Sequence, residues 1–132
     1  QSHTTSNAAA VSQHAALAAL TQRSASDAAV GAMVAQFQAR RDAALVILRE
    51  EPRITLSPPD GAFYLFLRAP GAGREADAGA SFASHLLEHA DLAVVPGSAF
   101  CLPDWVRVSY AAEQSQVEEA MRRLVRAYRS LA

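Results

Sequence analysis

The sequence contains no lysine, so apart from histidine all of its basic side chains are arginines. Without a side-chain amine, these 132 residues hold no group suited to Schiff-base chemistry. The single cysteine, Cys101, cannot form an intrachain disulfide and favours a reducing compartment. No apolar run reaches the length of a membrane span, and the chain does not open with a secretory signal pattern. We therefore expect a cytoplasmic protein without a membrane segment.

Net charge is also nearly absent. Charged residues make up 19% of the sequence and the formal net charge is −1, which disfavours nucleic acid as a partner. Hydrophobic residues make up 51% of the chain, enough for one domain with a hydrophobic core. Because the first residue is Gln1 rather than methionine, we expect a processed chain or a piece of a longer one.

Apolar spacing, turn residues and prolines predict the order α-α-β-β-α-β-β-α. This order indicates an α+β fold in two layers: a small, mostly antiparallel sheet with helices packed on one face, preceded by long N-terminal helices. We divide the chain into a lead-in with an interface helix, residues 1–26, and a C-terminal domain, residues 27–132. The predicted helices cover about residues 8–20, 27–51, 80–89 and 113–131, and the predicted strands cover 54–56, 62–67, 92–95 and 105–110.

Two of the predicted helices carry a distinctive face. The third has His85 and His89 four residues apart, and no third metal ligand is evident, so we interpret the pair as an exposed face. The second has apolar residues at helical spacing, which predicts a face docked on the sheet. These residues are Val30, Met33, Val34, Phe37, Ala44, Leu45, Ile47 and Leu48.

The last predicted strand contains an arginine within a short apolar run. Alternation places Val106 and Val108 on one face of this strand and Trp105, Arg107 and Ser109 on the other. The pattern alone leaves two interpretations of Arg107, an exposed arginine at a sheet edge or a ligand for an anion.

Four segments resemble motifs of class I aminotransferases, the pyridoxal-phosphate enzymes of fold type I, and they occur in the family's order. Residues 2–7, which run into an alanine-rich helix, resemble the first of them, and Pro59–Tyr64 resembles the P-x-G-A-F-Y strand. Val94–Phe100 is similar to the V-x-P-G-x-x-F loop, and Val106–Ala111 is similar to the strand that carries an arginine between two apolar residues. The resemblance covers nearly the whole chain and favours the aspartate/prephenate aminotransferase group.

The resemblance implies that this chain is the C-terminal, substrate-closing domain of such an enzyme. The parent enzyme would transfer an amino group between an amino acid, such as aspartate, and a 2-oxo acid. Its large domain, which carries the Schiff-base lysine, would precede Gln1. Pyridoxal phosphate would belong to the parent, and we expect none bound to this chain alone, which we expect to be inactive. The implied partners are the missing large domain, a second subunit in a homodimer and a small amino-acid or 2-oxo-acid substrate.

The resemblance also assigns site residues. Arg107 would bind the substrate α-carboxylate, because a planar guanidinium can hold a carboxylate through two parallel hydrogen bonds. Phe63 is similar to an aromatic residue on the family's substrate side, although a core position is an equal alternative, and Tyr64 alternates into the core. Phe100 lies in a loop that borders the substrate, and Cys101 stands where relatives often have glycine. No catalytic, cofactor-binding or metal-binding residue is expected in this chain.

Two other functions remain open from the sequence. The chain can be a non-catalytic α+β domain that associates through its alanine-rich first helix. It can also be the same domain of a fold type I lyase or decarboxylase, which would use Arg107 in much the same way. The residues that would distinguish these enzymes from an aminotransferase lie outside the sequence.

Overall fold

A computed structural model describes residues 7–131 of the chain. Intrachain contacts divide it into two units after Gln36, and each unit is described by itself. Across these described residues, no helix combines the length and apolar character needed to cross a bilayer. The helices are α1 (Ala10–Thr21), α2 (Arg23–Leu48), α3 (Ala78–Ala90) and α4 (Gln114–Ser130), and the strands are β1 (Tyr64–Arg68), β2 (Val95–Pro96) and β3 (Trp105–Ser109).

The three strands form an antiparallel sheet in the order β1-β3-β2, so β3 occupies the centre. In this register Arg107 lies opposite Phe66 of β1 and Val95 of β2. The inner and outer positions of β1 and β3 alternate in burial, as the period of two in a strand requires. The predicted α+β fold with a small antiparallel sheet is confirmed.

One hydrophobic cluster joins the sheet to the helices of the second unit. The strand residues facing it are fully or almost fully buried, and α3 and α4 bring apolar residues three and four positions apart onto the same cluster. Each fully buried large side chain contributes about 1.5–3 kcal/mol relative to an exposed one. The fully buried side chains include Leu65, Leu67 and Val106 of the sheet, Phe82 and Leu86 of α3, and Val117, Met121 and Leu124 of α4.

Two of the predicted strands are shorter than expected. Of residues 54–56, only Leu56 forms a bridge, to Leu67, since the Ile54 N–H is used in the turn after α2, where it donates to the carbonyl of Glu51 over 3.0 Å. Of residues 92–95, only the last joins the sheet, since the Leu92 N–H is used at the end of α3, where it donates to the carbonyl of Leu86 over 3.1 Å. The sheet is therefore limited to its two five-residue strands and a two-residue edge.

The apolar face predicted for the second helix is only partly buried. Ala44, Ile47 and Leu48, near the end of α2, belong to the core. Val30, Met33 and Val34, in the first unit, are exposed. The expectation of a continuous docked face was therefore wrong for this first part of the helix, since spacing alone does not show whether a partner covers an apolar face. The division predicted after residue 26 concerns attachment to another domain and stays a prediction.

The buried carboxylate of Glu51 links α4 to the turn after α2. Glu51 accepts two hydrogen bonds from the Arg53 guanidinium, of 2.6 and 3.1 Å, one from the Arg53 backbone N–H over 3.2 Å and one from Arg129 over 3.3 Å. The guanidinium of Arg53, aided by Arg129, lowers the Glu51 pKa to about 2 despite the opposing effect of burial. The Tyr128 hydroxyl also donates to the carbonyl of Arg53 over 3.3 Å. These contacts hold the C-terminal helix against the core.

Candidate functional site

Arg107 lies at the centre of the sheet, on the face turned away from the core. Its neighbours Val106 and Val108 are buried, whereas Arg107 is half-buried. Tyr64 and Phe66 of β1 are half-buried on the same face as Trp105 and Arg107. We call this surface the outer face of the sheet. The alternation predicted from the sequence is confirmed, and the interpretation of Arg107 as an edge-strand residue was wrong because β3 is central.

The Arg107 guanidinium is held by two aromatic rings rather than by a carboxylate. Its Cζ atom lies 4.3 Å from the centre of the Tyr64 ring and 4.7 Å from that of Phe100. Both distances are within the range in which a cation is attracted to an aromatic face. Among residues 7–131, no ion pair or hydrogen bond of the Arg107 side chain is found. The positive charge therefore remains available to an external anion.

Other arginines in the chain are used differently. On α4, Arg122 binds Glu118 over 3.2 Å and Arg123 binds Glu119 over 3.1 Å, each one helical turn apart. Arg53 is engaged by the buried Glu51. In each of these pairs the carboxylate already balances the positive charge of the guanidinium. Arg40 of α2 also lies over a ring, that of Phe37 at 5.3 Å, but Arg107 lies on the central strand and contacts two rings, which leave its charge uncompensated.

The Phe100 ring is itself supported by two aromatic residues of the outer face. Phe100 meets Phe66 edge-on, with ring centres 6.0 Å apart. Phe66 in turn stacks on Trp105, with ring centres 5.5 Å apart and planes 6° from parallel. Such pairs each contribute about 0.5–1.5 kcal/mol beyond the area that they bury. The Arg107 side chain therefore lies beside an aromatic layer built on both long strands.

The loop between β2 and β3 determines where Phe100 lies. It begins with a single 3-10 turn, Gly97–Phe100, and the Leu102 N–H donates back to the carbonyl of Gly97 over 2.9 Å. Cys101 adopts the left-handed conformation with φ of 61°, which suits glycine better than a residue with a side chain. The glycine that the family resemblance leads us to expect at this position would adopt this conformation without strain. This turn directs Phe100 toward the outer face.

Phe63 and Tyr64 are both outside the core. Phe63 is 37% exposed, which excludes the core alternative for it, and it stacks on Phe37 of α2, with ring centres 5.7 Å apart. The centre of its ring lies 4.5 Å from that of Tyr64, and the Tyr64 ring also contacts Arg107. The core position expected for Tyr64 was wrong, because the strand alternation places Leu65 in the core instead. The assignment of Phe63 to the substrate side stays a prediction.

The turn before Phe63 is held by a buried phenol. The Tyr110 hydroxyl donates to the carbonyl of Ala62 over 2.9 Å, and the Tyr110 N–H donates to the carbonyl of Phe63, also over 2.9 Å. Burial raises the Tyr110 pKa, which keeps the phenol protonated and able to donate. Ala62 has a φ of 57°, in the left-handed region. The conformation of the segment that leads into β1 therefore depends on Tyr110.

A polar cleft lies between α3 and α4, away from the outer face. It has a volume of about 460 Å³, and its lining includes His85 and His89, whose ring centres are 4.7 Å apart. Two arginines of the same cleft, Arg123 and Arg126, bind Glu119, and their guanidinium groups lower its pKa. Throughout residues 7–131, no three His, Cys, Asp or Glu side chains are grouped so that they could hold a metal ion. In this cleft the charge of Glu119 is therefore already paired with the two arginines.

Comparison with known proteins supplies a family. A family model described as aminotransferase class I and II matches residues 1–124. The chain is 38% identical to a probable aspartate/prephenate aminotransferase of Rickettsia prowazekii, over 99% of this chain and 34% of the relative. It is 40% identical to an aspartate aminotransferase of Geobacillus stearothermophilus, over 95% of this chain and 32% of the relative.

A solved structure shows the same fold. The aspartate aminotransferase of Thermus thermophilus with maleate matches 96% of this chain and 32% of its own, with a TM-score of 0.85 and 33% identity. The chain thus spans about a third of the length of the relatives that it matches.

Proposed function

Because this chain belongs to the class I and II aminotransferase family, we propose that it provides the substrate-carboxylate site of an aminotransferase. In this proposal Arg107 binds the α-carboxylate of an amino acid or of a 2-oxo acid. The remaining parts of the active site, including the lysine, come from a domain outside these 132 residues. The isolated chain does not catalyse amino transfer.

The observation that carries this proposal is the state of Arg107. A guanidinium at the centre of a sheet, with no carboxylate partner within residues 7–131, is suited to an anion from outside the chain. Its N–H groups form a planar fork that matches a carboxylate, and charge-assisted hydrogen bonds of this type are stronger than neutral ones. By fixing one end of the substrate, Arg107 would restrict how the amino group is presented.

The residues of this chain do not fit pyridoxal phosphate on their own. That cofactor supplies a carbonyl group that accepts the substrate amine, and an enzyme holds it through a lysine. No lysine is present in the sequence. We therefore assign this chain the binding and orientation of the carboxylate end only.

The names of the relatives suggest the substrate class. The Rickettsia protein is named for aspartate and prephenate, and the Thermus structure contains maleate, a dicarboxylate. We propose a dicarboxylic amino acid such as aspartate as the amino donor, of which Arg107 would bind the α-carboxylate. The expected homodimer and the cytoplasmic location stay predictions.

The test uses the longer protein in which these residues follow a lysine-bearing domain. We expect that protein to transfer an amino group from aspartate to a 2-oxo acid. Replacing Arg107→Gln removes two charge-assisted hydrogen bonds of about 2 kcal/mol each, so kcat/KM is expected to fall about a thousandfold. The matched control is Arg74→Gln, in the exposed loop between β1 and α3, which should leave kcat/KM unchanged.

Two results would contradict the proposal. One is amino transfer by residues 1–132 alone with added cofactor. The other is an Arg107→Gln enzyme as active as the Arg74→Gln control. If the product of the longer protein is instead a decarboxylated or eliminated compound, the chain belongs to a lyase or decarboxylase that uses the same arginine.

An association role is a second candidate, favoured by the exposed apolar residues of α1. Val11 is 82% exposed and Leu20 is 76% exposed, and α1 contains no buried residue. If α1 mediates self-association, placing charged residues at Ala15 and Ala18 should reduce the mass of the chain measured in solution. An unchanged mass would remove this candidate.

A further inference from the structure

We propose that Tyr64 and Phe100 are positioning residues for Arg107, which hold its guanidinium in place without neutralising it and so prepare it to bind the substrate carboxylate. This inference deepens the proposed function and rests on it. It concerns why the arginine is oriented for a carboxylate, and it assigns a role to two residues that do not themselves bind the substrate's charge.

The two rings contact the guanidinium separately. The Cζ atom lies over both rings, at 4.3 Å from the centre of Tyr64 and 4.7 Å from that of Phe100. Within the described residues, each of these rings contacts other aromatic residues, but no contact between them is found. The guanidinium therefore has two separate aromatic neighbours.

The shapes of the two charged groups restrict how they can bind. A guanidinium donates its hydrogen bonds in its own plane. A carboxylate is also planar and binds best edge to edge through two parallel bonds. A guanidinium held in one orientation by its two aromatic neighbours would therefore favour the bidentate geometry over a single, tilted contact.

Aromatic neighbours hold the arginine without neutralising it. A carboxylate in place of either ring would compete with the substrate, as Glu51 does when it engages Arg53. An aromatic face attracts the cation by about 0.5–2 kcal/mol, which reduces its rotational freedom and leaves its charge unpaired. The arginine is thus ordered before the substrate arrives, and less entropy is lost on binding.

The two rings are carried by different segments of the fold. Tyr64 belongs to β1 and also contacts Phe63. Phe100 is directed by the loop after β2 and packs on Phe66, which belongs to β1 like Tyr64. Because no contact between Tyr64 and Phe100 is found among the described residues, removing one ring should leave the contact of the other with the guanidinium in place. Phe100 is 42% exposed, which also makes its substitution tolerable for the fold.

The first test measures the ring contacts directly in residues 1–132. Aromatic faces shift nearby protons upfield, so the side-chain protons of Arg107 should be shifted in an NMR spectrum of arginine-labelled chain. Phe100→Leu and Tyr64→Leu should each remove part of that shift, whereas Phe100→Tyr and Tyr64→Phe, which keep the rings, should preserve it. Leu102→Ala, an exposed substitution in the same loop, is the control and should change nothing. An unshifted Arg107 in the unmodified chain would overturn the inference.

The second test measures catalysis in the longer enzyme. Phe100→Leu should raise the KM for the amino acid and lower kcat/KM about tenfold, and Phe100→Tyr should restore both values. Leu102→Ala should leave both unchanged. Equal kinetics for Phe100→Leu and Leu102→Ala would refute the positioning role, as would a failure of Phe100→Tyr to restore the KM.

The two proposals fail in different ways. If Arg107→Gln lowers kcat/KM but the ring substitutions do not, the proposed function stands and the positioning role is wrong. If Arg107→Gln has no effect on kcat/KM, the proposed function fails, while the NMR shifts still report whether the rings hold the guanidinium.

Discussion

Replacing Gly97→Ala should destabilise the protein strongly, because the backbone of the following loop already fills the space that a side chain would need. A Cβ atom built at Gly97 would lie 2.5 Å from the carbonyl oxygen of Trp105 and 2.9 Å from its carbonyl carbon, and closer still to the carbonyl oxygen of Leu102. These are backbone atoms, so no side chain can rotate away. The loop from residue 97 to 105 must therefore shift as a whole.

The size of this effect follows from the cost of overpacking. Forcing extra atoms into a packed interior typically costs about 1–3 kcal/mol, and a clash with fixed backbone belongs at the upper end. We expect a loss of about 3 kcal/mol in the free energy of unfolding. At about 4 °C per kcal/mol for a domain of this size, the midpoint of thermal unfolding should fall by about 12 °C.

The assay is thermal and urea unfolding of residues 1–132, followed by circular dichroism. The control is Gly61→Ala, since nothing lies within 4 Å of the Cβ position at Gly61 and its φ is outside the left-handed region. That substitution should change the stability by less than about 1 kcal/mol, in the stabilising direction. If Gly97→Ala is as stable as Gly61→Ala, the described path of the loop after β2 is wrong, and so is the support that it gives to Phe100.

Three further predictions concern other parts of the fold. Lowering the pH from about 4.5 towards 2 should remove the stability that Glu51 contributes as a carboxylate. Its pKa is about 2 in the folded state and 4.5 without these contacts, so the contribution is complete above pH 4.5 and is lost as the pH falls to the folded-state pKa. Urea midpoints measured across this range should fall less steeply for Glu51→Gln, and parallel profiles would argue against the ion pair. Tyr110→Phe should lose about 1 kcal/mol of stability, measured by urea unfolding, because the carbonyl of Ala62 loses its 2.9 Å donor; unchanged stability would mean that this bond contributes nothing. Cys101→Val should cost about 1 kcal/mol or more, since a β-branched residue is strained at a φ of 61°, and Cys101→Gly should not; equal unfolding midpoints for the two variants would rule out that strain.

The sequence was sufficient to predict the face of the strand on which Arg107 lies. Alternation of apolar residues has a period of two, and it places Val106 and Val108 in the core whatever the neighbouring strand is. The amphipathic helix α4 was predictable for the same kind of local reason. The motif resemblance then led to the hypothesis that Arg107, on the outer face, binds a substrate.

The partners of Arg107 could not be predicted in the same way. Tyr64 reaches the guanidinium only because β1 pairs with β3 in one particular register, and the strand sequences do not specify that register by themselves. Phe100 reaches it because Cys101 adopts a left-handed conformation that most residues avoid. Both contacts depend on tertiary pairing. Tyr64 was assigned to the core for a different reason: residues 62–67 are all apolar or aromatic, so the sequence does not show which alternate residues are buried.

The central claim is that Arg107 binds the carboxylate of the substrate, and a crystal structure of the longer enzyme with maleate tests it most directly. We predict that one carboxylate of maleate lies in the plane of the Arg107 guanidinium, with two N–O distances of about 2.7–2.9 Å, and that the rings of Tyr64 and Phe100 stay in contact with the guanidinium. A bound maleate whose carboxylates are both held by other residues, with Arg107 turned away, would contradict the account.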